Sequence, residues 1–159
     1  MTSTEPEPTR PSAPDAAAIY DALATEHATI YGYGIVSAHT TPAVNDLVAQ
    51  ALIQHRKQRE AAIAMLGSRS VTPALAAAGY LLPITVNDPT EAANLAVQME
   101  NDTAVAWRAV LEQAKPGSDA DADRRFAVSA LTQCAVLAAR WKRVLKAWPL
   151  TSAFPGGSE

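Results

Sequence analysis

Prolines divide this chain into four long stretches, and each stretch carries apolar residues at helical spacing. Thr41-Pro42 and Asp88-Pro89 both join a capping oxygen to a proline at the first helical position, where the missing amide costs nothing. Pro116-Gly117 and Pro149 stop the stretches that precede them. Between these marks the apolar steps are of three and four residues, as in Ile19, Leu23, Ile30 and Tyr33, or Ala127, Ala130, Cys134, Leu137 and Trp141. Hydrophobic residues make up 48% of the chain but aromatic ones only 6%, a balance that suits closely packed helices better than strands. With 159 residues, one all-α domain is expected.

The spacing predicts four helices, over about 13–38, 42–66, 89–115 and 118–148. Ser12 with Asp15 forms a capping-box pattern at the first start, and Gly67 is a candidate left-handed C-cap for the second helix. Gly32 and Gly34 each weaken the first helix, which is tolerable where a neighbour approaches closely. Thr72-Pro73 through Gly79 reads as a miniature helix inside an otherwise irregular connection.

Short links make the first two helices one antiparallel pair and the last two another. The connection between the pairs, about 20 residues, is long enough to run the length of a helix of about 39 Å, so the second and third helices lie parallel. Two antiparallel hairpins joined by one long crossover is the connectivity of a ferritin-like four-helix bundle. The bundle spans 13–149. Residues 1–12 are a proline-rich, disordered tail, and 150–159 a C-terminal tail in which Leu150 and Phe154 dock on a helix end.

Polar residues interrupt the apolar stripes near the middle of every helix: Glu26, His55, Glu100 and Gln133. Midpoints meet midpoints in a bundle of equal helices, so these residues share one level. Carboxylates and imidazole converging inside a bundle are the ingredients of a two-metal site, in which two helices each give Glu and the other two each give Glu-x-x-His. Here Leu52 stands where the second helix needs its glutamate, and the fourth helix offers neither Glu nor His in frame.

Two readings of this belt remain open. In one, Glu26 and Glu100 are neutralised by protein cations, chiefly Arg59 and Arg140, with Gln133 completing a buried polar belt; a lone buried carboxylate would be costly. In the other, Glu26, His55 and Glu100 hold a single Fe, Mn or Zn ion. His27 points about 100° away around the helix. Tyr33 reads as a packing residue with its hydroxyl satisfied, and Cys134 as a small buried hydrophobe.

The formal charge of −3 argues against nucleic acid and anionic membrane as partners. No apolar run is long enough to span a bilayer, no signal peptide is evident, and one cysteine demands no oxidising compartment. A soluble, cytoplasmic protein is the expectation.

The strings Ala24-Thr25-Glu26-His27-Ala28-Thr29-Ile30-Tyr31-Gly32-Tyr33-Gly34, Met99-Glu100-Asn101-Asp102 with Trp107-Arg108, and Ala130-Leu131-Thr132-Gln133 with Arg140-Trp141 resemble a small actinobacterial, chiefly mycobacterial, family of ferritin-like proteins of unknown function. The resemblance runs from about Ala16 to the C-terminus. It implies a self-associating ferritin-like bundle, a homodimer, without an assigned reaction. On the wider ferritin and rubrerythrin pattern, Glu26, His55 and Glu100 carry over as metal ligands, while Leu52 and the fourth helix depart from it. The expected protein is non-catalytic, acts through its surfaces and keeps a degenerate mid-bundle metal site; the alternative is a mononuclear metal-binding protein or metalloenzyme.

Overall fold

The computed structural model describes residues 7–157, except for the side chains of 118 and 119. Four helices are present among them and no strand: α1 (Pro14–His39), α2 (Asn45–Gly67), α3 (Pro89–Gln113) and α4 (Ser118–Leu145). A single 3-10 turn, Pro42–Val44, leads into α2. No helix among the described residues is long and apolar enough to cross a membrane.

The sharpest helix start is that of α3. The Asp88 carboxylate accepts the Glu91 amide at 2.8 Å, and the Glu91 carboxylate reaches back to accept the Asn87 amide at 2.7 Å. This reciprocal cap satisfies two donors that the helix itself cannot. At α1 the expected cap is absent: Ala13 is the N-cap, without a side-chain bond, and Pro14 opens the helix. α4 ends at Leu145, short of the expected Trp148, because Lys146 turns left-handed at φ 54°.

Helix directions follow from side-chain pairs. Glu26, Thr29 and Tyr33 of α1 bond Trp107, Thr103 and Glu100 of α3 in descending order, so the two helices are antiparallel. Buried apolar residues form two clusters. One joins Tyr33 and Val36 to Leu47, Val48, Ala92, Leu137 and Trp141; the other joins Ile19 and Leu23 to Ala62, Leu66, Trp107, Val110, Ala127 and Ala130. The start of α1 therefore lies with the end of α2, the end of α3 and the start of α4. Helix α1 packs on α2 and α3, and α4 on α3 and more lightly on α2. Adjacent helices are all antiparallel, and the diagonal pair α2 and α3 is parallel.

That parallel pair needs a connection running the length of the bundle, and residues 68–88 supply it. Val71 and Ala74 join the second cluster, whereas Leu82, Ile84 and Val86 pack on the first, so the crossover travels from one end of the core to the other. The predicted miniature helix over 72–79 does not form. Two of its polar backbone groups are taken by side chains: His27 Nε2 donates to the Ala74 carbonyl at 3.0 Å, and the Tyr80 hydroxyl accepts from the Ala77 amide at 2.9 Å. Where the crossover leaves α2, the Arg69 guanidinium bonds Asp123 of α4 at 2.5 Å and Asp15 of α1 at 3.3 Å.

Residues 1–6 of the predicted tail lie outside the described residues. Within the remainder, Arg10 forms a two-pronged ion pair with Asp21, and the Tyr20 hydroxyl donates to the Pro8 carbonyl. The C-terminal segment does not stop at a helix end as expected. It folds back along the bundle until a Cβ on Gly156, whose φ is +74°, would lie 2.7 Å from the Ala104 carbonyl oxygen.

The two glycines of α1 have different causes. A Cβ on Gly32 would fall 2.1 Å from Met99 Sδ, so this position is kept open for α3, whereas a Cβ on Gly34 would meet nothing within 4 Å. Gly34→Ala is therefore expected to stabilise the protein by about 1 kcal/mol through helix propensity alone. Gly32→Ala should gain less or lose, because Met99 must move. Urea midpoints of the two variants against the parent measure the contrast.

Candidate functional site

A polar layer separates the two apolar clusters at mid-bundle, built from one side chain after another on the inner faces of the helices. On α1 the buried positions are Ile19, Leu23, Glu26, Thr29, Tyr33 and Val36, spacing that makes Glu26 as much a core residue as Leu23. On α2 the sequence Ala51, His55, Gln58, Ala62 does the same for His55, and on α3 Met99, Thr103, Ala104 and Trp107 flank Glu100. Glu26, His55 and Glu100 are each 0% exposed.

The imidazole of His55 lies between the two carboxylates. Its Nδ1 donates to Glu26 Oε2 at 2.8 Å and its Nε2 to Glu100 Oε1 at 3.0 Å. Both ring nitrogens face acceptors, an arrangement that the doubly protonated imidazolium satisfies and either neutral tautomer leaves half unmet. Burial pushes the His55 pKa down, but the hydrogen bonds and charges of Glu100 and Glu26 together outweigh it and raise the pKa to about 10. At neutral pH His55 is a cation.

Aromatic donors complete the network. Trp107 Nε1 donates to Glu26 Oε1 at 2.7 Å, the Tyr33 hydroxyl donates to Glu100 Oε1, and Trp141 Nε1 donates to the Tyr33 oxygen at 2.9 Å. The Tyr33 ring lies 5.5 Å from the imidazole and 6.3 Å from the Trp141 ring. A continuous path thus runs Trp107, Glu26, His55, Glu100, Tyr33, Trp141 and draws on all four helices.

Burial raises the Glu26 pKa, opposed by the His55 and Trp107 bonds, with the Glu100 charge acting in the same direction as burial. Burial, then the charge of Glu100 and its hydrogen bond, push the Tyr33 hydroxyl well above its usual range. The Cys134 thiol is raised well above its usual range by burial, then by the charges of Glu100 and Glu26.

Around this path, Thr29 donates to the Thr103 hydroxyl at 3.0 Å while Thr103 donates to the Met99 carbonyl at 2.8 Å. Gln58 Nε2 donates to Cys134 Sγ at 3.6 Å. Within this layer the buried oxygens Glu100 Oε2 and Gln58 Oε1 have no hydrogen-bond partner among the described residues.

Of the six residues singled out from sequence, the structure brings three together and leaves three outside. Arg59 is half-buried and pairs with its neighbour Glu60. Gln133 is exposed, and Arg140 is exposed and donates to Gln50. The expected belt cations and amide are thus corrected: the inner face of α2 carries Gln58 where Arg59 was expected, one residue or about 100° away, while on α4 Gln133 lies outside beside Cys134, which is buried on the inner stripe as expected. The counter-charge is His55 itself. The partners missed from sequence are Trp107, Trp141 and Gln58. The two tryptophans stand on inner stripes, and a buried indole N–H requires an acceptor, which was the available signal.

Chemically, the arrangement holds a proton between two carboxylates and seals it from water. A metal ligand histidine presents a nitrogen lone pair, and both His55 nitrogens are instead engaged as donors. As placed, His55 turns both ring nitrogens toward carboxylates, and no group of three or more His, Cys, Asp or Glu that could hold a metal ion occurs among the described residues.

Comparison with curated proteins gives no match. Among solved structures, the chain is similar to a conserved hypothetical protein, rv2844, from Mycobacterium tuberculosis, with 60% sequence identity and a TM-score of 0.79. The likeness covers 89% of this chain and 96% of that one. The family described as "Domain of unknown function (DUF4439)" matches residues 18–159, a stretch that includes all four belt-bearing helices except the first turn of α1. The chain belongs to this family.

Proposed function

We propose that this protein is a non-catalytic, ferritin-like four-helix bundle that acts through its surfaces as a homodimer in the cytoplasm. In this reading the mid-bundle ligand set of a metal protein has become a structural network of two carboxylates around a shared imidazolium. One observation carries it: His55 is a cation whose two N–H groups are spent on Glu26 and Glu100, so a proton offsets one of the two carboxylate charges that a metal would otherwise offset. The connectivity supports the ferritin-like assignment, with two antiparallel hairpins, a crossover along the bundle and every adjacent pair antiparallel. The alternative is a protein that holds one iron, manganese or zinc ion through Glu26, His55 and Glu100. Its support is Glu100 Oε2, a buried carboxylate oxygen with no hydrogen-bond partner within normal distance among the described residues.

Metal analysis of protein purified without chelator from medium supplemented with iron, manganese and zinc separates the two. Glu26→Gln serves as the comparison, because it keeps the side-chain volume and an acceptor for His55 or Trp107. The expected result is far less than one metal per chain, unchanged in the variant. One equivalent in the parent that is lost in Glu26→Gln would retire the non-catalytic reading in favour of the metal-binding one. Light scattering on the same samples reports whether the mass is that of two chains.

A further inference from the structure

A concavity lies away from the belt, on the outer side of the α3 and α4 pair, where the C-terminal segment folds back along a groove of about 740 Å³. This volume falls within the range of small-molecule sites, about 300–1,000 Å³. Its apolar walls include Val105 of α3, Leu131 and Val136 of α4, and Phe154 of the returning segment. The far end is anchored: Gly156 sits so close to Ala104 that no side chain fits between them.

The charged residues lining this groove are all of one sign. Arg140, Lys142 and Arg143 line one end, and no acidic side chain lines it among the described residues. In a chain of net charge −3 this is a local reversal. Lys142 and Arg143 sit in the last turn of α4, where cations favour the helix dipole, but the dipole does not require them to share a groove with Arg140. Neither Lys142 nor Arg143 has an ion-pair partner among the described residues, and Arg140 bonds only the neutral Gln50 amide. From Arg143 to Leu131 the helix advances about 18 Å, so the groove is cationic at one end and apolar along the rest.

We propose that this groove binds a single-chain amphiphile with an anionic head, the head at Arg140, Lys142 and Arg143 and the hydrocarbon chain along Val136, Leu131, Val105 and Phe154. The ion pairs place the head, and burial of the chain supplies the affinity. The site is separate from the belt and stands whether or not a metal binds there. A fatty carboxylate and a lysophospholipid phosphate share this chemistry.

The test is fluorescence titration of the full chain with cis-parinaric acid, beside its methyl ester, which keeps the hydrocarbon and removes the charge. One acid per chain is expected, with the ester at least tenfold weaker. The surface double variant Lys142→Gln/Arg143→Gln should weaken the acid about tenfold, and Val136→Glu should abolish binding with its helix content unchanged. Displacement of parinarate by lysophosphatidic acid at lower concentration than by oleate would support the proposal with phosphate as the head; the reverse order would support it with carboxylate. Equal binding of acid and ester, an unaltered double variant, or no binding would overturn it. So would two further results without parinarate binding: sedimentation with phosphatidylglycerol vesicles, which would make the groove a membrane contact, or a two-chain mass reduced to one by Val136→Glu, which would make it an interface between copies.

Discussion

Replacing His55 with leucine is expected to destabilise the protein by about 3–5 kcal/mol at neutral pH, the usual cost of removing one partner from a buried charged network. The substitution keeps much of the volume but leaves Glu26 and Glu100 facing each other in a dry core without their shared cation. Typical domains have only about 5–15 kcal/mol in total, so much of the stability goes. Two controls tell lost charge balance from lost packing. Acidification should restore part of the loss in His55→Leu, because protonated carboxylates no longer need the cation. The triple replacement Glu26→Met, His55→Leu, Glu100→Met should be far less damaging than the single one, since exchanging an entire buried ionic group for apolar residues is often neutral or stabilising. Urea unfolding of the three proteins at pH 5 and pH 7.5 decides the matter. A single variant that loses less than about 1 kcal/mol would show that His55 is not the counter-charge.

The stability of the parent protein should fall as pH rises between about 6.5 and about 10. His55 titrates near 6.5 in the unfolded chain and near 10 in the folded one, so across that window the folded state holds the extra proton. A folded state that binds more protons loses stability as protons become scarce. The contribution is fully present below about 6.5, declines with a slope approaching about 1.4 kcal/mol per pH unit, and is gone above about 10. Glu26 acts with the same sign at the acid end: its folded pKa is raised above its ordinary value, so it too favours the folded state less as pH rises past 4.5. Urea midpoints measured every half unit from pH 6 to pH 10 give the slope, and His55→Leu should remove it. Nitrogen NMR of the ring offers a direct reading, with both nitrogens of His55 protonated at pH 8. A neutral ring there would overturn the assignment.

The architecture was legible in the chain because it rests on local rules. Proline and glycine punctuation and the three-four apolar step act within a few residues of one another, and all four helix starts fell within a few residues of the observed ones. The crossover was legible by length, since parallel diagonal helices need a connection as long as themselves. The same local rules misplaced the miniature helix over 72–79, where His27 and Tyr80 compete for backbone groups that a short helix would have to pair internally.

At mid-bundle the division falls between level and rotation. Height along a helix is set by residue number at about 1.5 Å per residue, so the common level of Glu26, His55 and Glu100 follows from element boundaries alone. Rotation about the axis changes by about 100° per residue, so an error of one position moves a side chain from core to solvent. That is why Arg59 was expected inside where Gln58 is the buried neighbour, and why Gln133, next to the buried Cys134, was expected to reach the belt. Arg140 was a different error: it is adjacent to the buried Trp141 but lies outside with Gln50.

By itself, the sequence determined four helices, their pairing, the length of the crossover and a polar level in an apolar core, because each depends on spacing along one chain segment. Only the tertiary structure decided what that level is. Whether a histidine between two glutamates carries a lone pair for a metal or a second proton depends on which atoms face its nitrogens, and those atoms come from α1 and α3, 29 and 45 residues away in the chain.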